Sequence, residues 1–222
     1  MKDDSASRER GLRITEIFHS LQGESRPVGL PTAFVRLTGC PLRCTYCDTA
    51  YAFHGGIRLT QDEILQQVAE FGTRHVCVTG GEPLAQQKCL GLLTRLCDEG
   101  YSVLLETSGA LAIDEVDPRV CIVLDLKTPA SGEVERNRWE NLVHLKSDDQ
   151  VKFVIANRAD YDWACEKMHE HDLTAKCPVL FSPAWGEENL ARHLAEWILA
   201  DRLNVRFQVQ LHKILWGDRP GH

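Results

Sequence analysis

Thr60-Gln-Asp-Glu-Ile-Leu-Gln-Gln-Val-Ala-Glu-Phe-Gly-Thr-Arg-His-Val-Cys-Val-Thr-Gly-Gly81 reads as a helix, a turn and a strand in succession. Thr60 and Glu63 have the spacing of a capping box, and Ile64, Leu65, Val68 and Ala69 then share one helical face through Phe71. His75–Thr79 is a β-rich run that stops on two glycines, where backbone can approach a ligand closely. The same alternation continues on both sides. Strands are expected at Thr32–Thr38, Ser102–Glu106, Val120–Leu126, Gln150–Ile155, Pro178–Ser182 and Val205–Gln210. Helices are expected from about Ala85 to Glu99, closed by Gly100, and at Arg158–His171 and Glu187–Arg202. Strand, helix, strand at this regularity implies βαβ units, a parallel sheet and right-handed crossovers that put loop chemistry at the C-terminal strand ends. A closed eightfold barrel typically needs ~250 residues. With 222 residues and an irregular N-terminal segment, the chain is expected to form an α/β fold, an incomplete, open parallel barrel of about six βα units. A flexible N-terminus over 1–13 and a single domain over 14–222 complete the expected organisation.

Composition narrows the functional classes. Hydrophobic residues make up 43% and charged residues 26%, near the ~45–50% and ~25% of globular chains, which excludes disorder, collagen and coiled coil. Lys and Arg number 25 against 32 Asp and Glu, a net charge of −7 with no basic run. That is no footprint for nucleic acid or an anionic membrane. No apolar stretch approaches the ~18 residues of a membrane span, and Met1-Lys-Asp-Asp-Ser-Ala-Ser-Arg-Glu-Arg-Gly11 is too charged for a signal-peptide core. A cytoplasmic location with reduced thiols is the expectation. Six of the nine cysteines (Cys77, Cys89, Cys97, Cys121, Cys165 and Cys177) fall in strands and helices without a C-x-x-C pair, as buried apolar residues do.

Cys40-Pro-Leu-Arg-Cys44-Thr-Tyr-Cys47 is different. Pro41 keeps this loop from being helical throughout, and the spacings of four and three let three thiolates converge. Three thiolates are one too few for a closed zinc site, and cubane clusters that only transfer electrons take four protein ligands. A three-cysteine set leaves one iron open. Zinc completed by a histidine such as His54, or a chance grouping of reduced cysteines, are the competing readings.

The C-x-x-x-C-x-aromatic-C pattern resembles the signature of the radical S-adenosylmethionine (radical SAM) superfamily. The resemblance implies a 4Fe-4S cluster on Cys40, Cys44 and Cys47, with the open iron binding the amino and carboxylate groups of SAM. Reductive cleavage of SAM then gives a 5′-deoxyadenosyl radical. Thr79-Gly-Gly-Glu-Pro83 matches the superfamily motif that meets the SAM amino group. Glu106-Thr-Ser-Gly109, with Ser108, and Asp125-Leu-Lys127 stand at strand ends that such a barrel places around ribose and adenine.

Ser20-Leu-Gln-Gly-Glu24, Arg36, Asp48-Thr49 and His212-Lys213, with the short length, resemble the 7-carboxy-7-deazaguanine synthase family from about Ile14 to the end. That family contracts 6-carboxy-5,6,7,8-tetrahydropterin and expels ammonia, a step toward queuosine. The resemblance implies that Leu21, Gln22, Gly23 and Glu24 line the pterin site and that Arg36 and Thr79 contact substrate. Thr49 would give its hydroxyl to Mg²⁺, while Gly81, Asp125, Leu126, Lys127 and Ser182 flank SAM. The family's C-terminal carboxylate can reach the substrate, which assigns that part to His222 here. A homodimer and an electron donor such as flavodoxin are also implied. A glycyl-radical enzyme activase is the alternative enzyme, and a zinc- or cluster-bearing binding module the alternative outside catalysis.

Overall fold

The computed structural model describes residues 11–186, 189–219 and 221. Among the described residues, nine strands form one sheet: β1 (Leu12–Leu21), β2 (Pro31–Leu37), β3 (Ile57–Leu59), β4 (His75–Gly80), β5 (Ser102–Thr107), β6 (Cys121–Leu126), β7 (Gln150–Ile155), β8 (Val179–Pro183) and β9 (Arg206–Phe207). Their order is β3-β1-β2-β4-β5-β6-β7-β8-β9. From β2 through β9 every neighbouring pair is parallel, while β1 is antiparallel to both β2 and β3. Among the described residues the edge strands β3 and β9 do not pair with each other, so the barrel is open. The helices are α1 (Gln61–Glu70), α2 (Cys89–Asp98), α3 (Arg158–Glu170), α4 (Leu173–Lys176), α5 (Leu190–Ala200) and α6 (Leu211–Trp216).

Alternation along the strands separates two faces. Val103 and Leu105 of β5, and Val151, Phe153 and Ile155 of β7, join the main core with Ile64 and Val68 of α1 and Leu92, Leu93 and Leu96 of α2. Phe34, Cys77, Leu104 and Val123 form a smaller cluster on the opposite face. Polar residues of that face, Glu106, Asp125 and Lys152, line the cavity described below. The capping box of α1 forms as read: Thr60 Oγ1 accepts from Glu63 N at 3.2 Å, and Glu63 Oε2 accepts from Thr60 N at 2.7 Å.

Several boundaries are corrected. The segment expected to be irregular is β1, which begins at Leu12, inside the stretch expected to be flexible; residues 1–10 lie outside the described residues. Its register slips between Ile14 and Glu16, and this bulge breaks the period-2 pattern that marks a strand. The helix expected from Ala85 starts at Cys89. Pro83–Ala85 instead forms a 3-10 turn capped by Glu82. Gln86 then spends its side chain on the bulge, donating to Arg13 O at 2.9 Å and Thr38 O at 3.0 Å. The last strand is two residues, Arg206–Phe207. Gln208 leaves the strand pattern because its side chain bonds Ser25 O at 2.9 Å and Ser25 N at 2.5 Å. The expected Glu187–Arg202 helix is observed over Leu190–Ala200, with Glu187 outside the described residues. Among the described residues no helix is long and apolar enough to cross a membrane.

Candidate active site

A cavity of about 590 Å³ opens at the C-terminal ends of the parallel strands. The loop after β2 brings Cys40, Cys44 and Cys47 to it, each partly exposed and free. Backbone bonds fix that loop: Gly39 N donates to Ala52 O at 2.8 Å, and Thr45 N to Ser131 O at 3.0 Å. Burial raises the Cys40 thiol and pushes Cys44 up to about 11, so each must shed a proton to ligate metal. Lys127 opposes that shift at both thiols. Its own ammonium, buried against Asp125 at 3.0 Å, is held charged above the usual lysine range, Asp125 and Cys44 outweighing desolvation.

Gly81 is where the β4 loop meets the cysteine loop. A Cβ there would lie 2.3 Å from Gly39 O and 2.8 Å from Cys40 Cβ, so only glycine fits. Glu82 next to it is fully buried and binds the β5 loop, accepting from Thr107 Oγ1 at 2.8 Å and from Ser108 N and Oγ at 2.7 and 2.5 Å. Ser108 thus lines the cavity with its hydroxyl already engaged. Ser182 also lines it, donating to Gln208 O at 2.6 Å. Asp125 Oδ1 is buried without a partner among the described residues, a polar atom left for a ligand. Leu126 is fully buried in the helix-side core and does not line the cavity; strand alternation turns its side chain away from Asp125 and Lys127.

The other end of the cavity is built by the loop after β1. Leu21, Gln22, Gly23 and Glu24 all line it. Gly23 O accepts from Leu211 N at 2.9 Å, and a Cβ on Gly23 would strike His212 Nδ1 at 2.0 Å, so α6 is pressed against this loop. Glu24 pairs with Lys152 and accepts from Gln210 Nε2 at 2.7 Å. Gln22 Nε2 donates to Glu106 Oε1 at 3.3 Å, and Thr79 Oγ1 to Glu106 Oε2 at 3.1 Å. Burial, and then the Glu24 charge, raise the Glu106 carboxyl above its usual range. Burial works against the Asp48 charge too, but Lys152, Gln210, Lys213 and Arg36 outweigh it and lower the carboxyl. Arg36 pairs with Glu16 at 2.7 Å. Thr49 Oγ1 lies 3.8 Å from Cys47 Sγ on the cavity wall.

The structure therefore brings every expected side chain except Leu126 and His222 into one cavity; His222 lies outside the described residues. His54, the histidine of the zinc reading, is exposed and absent from the lining, and among the described residues no three His, Cys, Asp or Glu side chains group to hold a single ion. Three thiols on one loop beside a glycine cradle do suit a larger thiolate-bound cluster. Lys152, Glu16 and Gln210 were not singled out from sequence. A charged residue inside an apolar strand, Val151-Lys152-Phe153, is the signal that marks Lys152.

The radical SAM superfamily model matches residues 34–121. Over 214 residues the chain is 48% identical to the 7-carboxy-7-deazaguanine synthase of Chlorobaculum tepidum, covering 95% of this chain and 97% of that one. It is 44% identical to the enzyme of the same name from Koribacter versatilis, covering 92% and 97%. Among solved structures, QueE from Escherichia coli superposes with a TM-score of 0.74 over 95% of this chain and 99% of that one, at 22% identity. Streptococcus suis SuiB bound to precursor peptide SuiA matches at a TM-score of 0.55, over 78% of this chain and 46% of that one. With relatives this similar along nearly their whole length, the chain belongs to the 7-carboxy-7-deazaguanine synthase family of the radical SAM superfamily.

Proposed function

We propose that the chain is a radical SAM lyase that converts 6-carboxy-5,6,7,8-tetrahydropterin to 7-carboxy-7-deazaguanine with loss of ammonia, in queuosine biosynthesis. One observation carries the reading: the three-cysteine loop, the Gly81 cradle and the Glu24, Glu106 and Arg36 side chains face a single cavity. Cys40, Cys44 and Cys47 hold the 4Fe-4S cluster, and Gly81, Ser108, Asp125, Lys127 and Ser182 receive SAM. When bound, this pair supplies the 5′-deoxyadenosyl radical that removes a hydrogen atom from substrate. Glu24 and Gln22 accept from and donate to the guanidine-like edge of the pterin. Arg36, with its planar fork, takes the carboxylate. Thr79 orients Glu106 by its hydroxyl, and Leu21 and Gly23 close the wall beside the pterin. Thr49 offers an oxygen to Mg²⁺, a cation that retains waters and substrate groups as its other ligands. His222 is assigned to substrate by the family resemblance. A cytoplasmic homodimer fed by a flavodoxin-type donor completes the proposal, and exposed Ile57 on the edge strand β3 is an apolar surface that a second copy would cover.

The test is anaerobic turnover of reconstituted protein with carboxytetrahydropterin and substoichiometric SAM. Product and ammonia should exceed SAM, and deuterium on the carbon bearing the carboxylate should enter 5′-deoxyadenosine or regenerated SAM. Deuterium that never leaves that carbon would refute the assignment. SAM cleavage seen only with a partner protein would favour the glycyl-radical activase.

A further inference from the structure

The cavity contains a buried cation that none of these roles uses. Along β7, Val151, Phe153 and Ile155 enter the helix-side core, and Lys152 faces the cavity opposite Asp125 in register. Its ammonium bonds Glu24 Oε2. Desolvation, which would strip its proton, is outweighed by Glu24, Asp125 and Glu106, and the charge is retained. The neighbouring charges have partners of their own. Asp125 is bonded to Lys127 at 3.0 Å, and Arg36 to Glu16 at 2.7 Å. Among the described residues, Lys152 is therefore the cation in bonding contact with Glu24. The second Glu24 oxygen accepts from Gln210 Nε2 at 2.7 Å, and Glu24 N donates to Gln22 Oε1 at 3.2 Å. Both carboxylate oxygens are thus fixed in direction before a ligand enters, each with lone pairs to spare.

A buried carboxylate without a counter-charge is costly and tends to neutralise, which turns an acceptor into a donor. We infer that Lys152 is a positioning residue that, through Glu24, sets specificity for the amino-bearing edge of the pterin. This rests on the carboxytetrahydropterin reading of the cavity. Lys152 is assigned no contact with the reacting atoms; its bond to Glu24 Oε2 fixes the orientation of the side chain that does the recognition. Arg36 bonds Glu16 rather than Glu24, and the same reading assigns it to the carboxylate end.

Equilibrium binding to anaerobically reconstituted protein without reductant tests this, because no turnover is needed. Three probes are compared: carboxytetrahydropterin, its analogue lacking the 2-amino group, and its analogue lacking the carboxylate. Lys152→Met should weaken the first and third by about ten- to a hundredfold, the range of one charged contact, and the 2-desamino analogue by no more than about twofold. Iron content and SAM affinity should be unchanged. Glu24→Gln, which leaves no uncompensated carboxylate, should show the same pattern, and adding Lys152→Met to it should cost little more; this arm decides if Lys152→Met alone fails to fold. Equal losses for all three probes would make Lys152 a support of cavity shape and overturn the inference. Loss confined to probes that carry the carboxylate would make Lys152 a direct carboxylate ligand and overturn it equally. Wild-type protein that binds none of the pterins would instead refute the proposed function itself.

Discussion

Arg36 is held on three sides by its own chain. Glu16 accepts from Nε at 2.7 Å, and the rings of Phe18 and Tyr51 lie 5.8 and 5.9 Å from the guanidinium carbon. Tyr51 in turn donates to Glu16 Oε1 at 2.8 Å. This leaves the terminal nitrogens for a ligand, and a lysine reproduces neither the Nε bond nor the planar stacking. Arg36→Lys should lower kcat/KM for carboxytetrahydropterin about ten- to a hundredfold, from loss of ~1.5–3 kcal/mol, and should affect a carboxylate-free analogue less. Steady-state kinetics on both compounds checks it. Glu106 gives a pH prediction. Its carboxyl is raised by burial and by Glu24, so the neutral form is favoured in the fold. The stability it contributes is present below the unfolded value near 4.5 and is lost as pH rises through the folded value. Glu106→Gln removes that titration, so its thermal midpoint should fall less than wild type's between pH 5 and 7; parallel curves in calorimetry would contradict the prediction. At this scale Arg36 was legible only through the family resemblance, because a lone cation in a β-rich run reads equally well as an exposed strand residue, and Lys152 in the same setting passed unnoticed. Its partner was not, since Glu16 stands opposite Arg36 only through the shifted β1–β2 register.

The element that decides the chemistry is the loop between β2 and β3, and its shape depends on a glycine far away in sequence. Gly39 O accepts from Glu82 N at 2.8 Å, which locks the cysteine loop to the β4 loop and leaves no room at Gly81. Gly81→Ala should therefore displace Gly39 and Cys40 and lower iron per chain below about half of wild type after reconstitution. Gly100→Ala is the contrast: φ is +85° there with nothing within 4 Å of a Cβ, so the cost is backbone strain of about 1–2 kcal/mol with iron intact. Iron analysis beside thermal melts separates the two, and full iron in Gly81→Ala would show that the cradle yields. Elements with local signals were legible: the capping box at Thr60, the glycine after α2, the β-rich runs of β5 and β7. Those set by distant partners were not. The bulge in β1 answers to Gln86, and the early end of β9 answers to Ser25, neither of which a local pattern contains.

At the scale of the molecule, one sheet divides stability from chemistry. Leu105 and Glu106 are consecutive in β5, yet Leu105 is fully buried against the helices and Glu106 lines the cavity. Parallel strands covered on both faces read as apolar runs, which is why the fold class was legible while the division of faces emerged only from the register. The division has a measurable consequence. Leu105→Ala leaves a cavity in the helix-side core and should cost about 2–5 kcal/mol. In a domain of this size each kcal/mol lowers the melting midpoint by roughly 2–4 °C, so a fall of about 4–20 °C is expected. Iron per folded chain and SAM affinity should stay at wild-type values, because no cavity-lining group has moved. Cys44→Ala should do the reverse. It sits on a partly exposed loop, so the metal-free variant should melt within about 2 °C of metal-free wild type, while iron and turnover are lost. Melting of metal-free proteins, iron analysis and SAM titration on the same preparations test both halves. A Leu105→Ala protein that folds but loses its iron would show that the cavity's geometry depends on the packing behind it, and the two faces would then have to be treated as one unit.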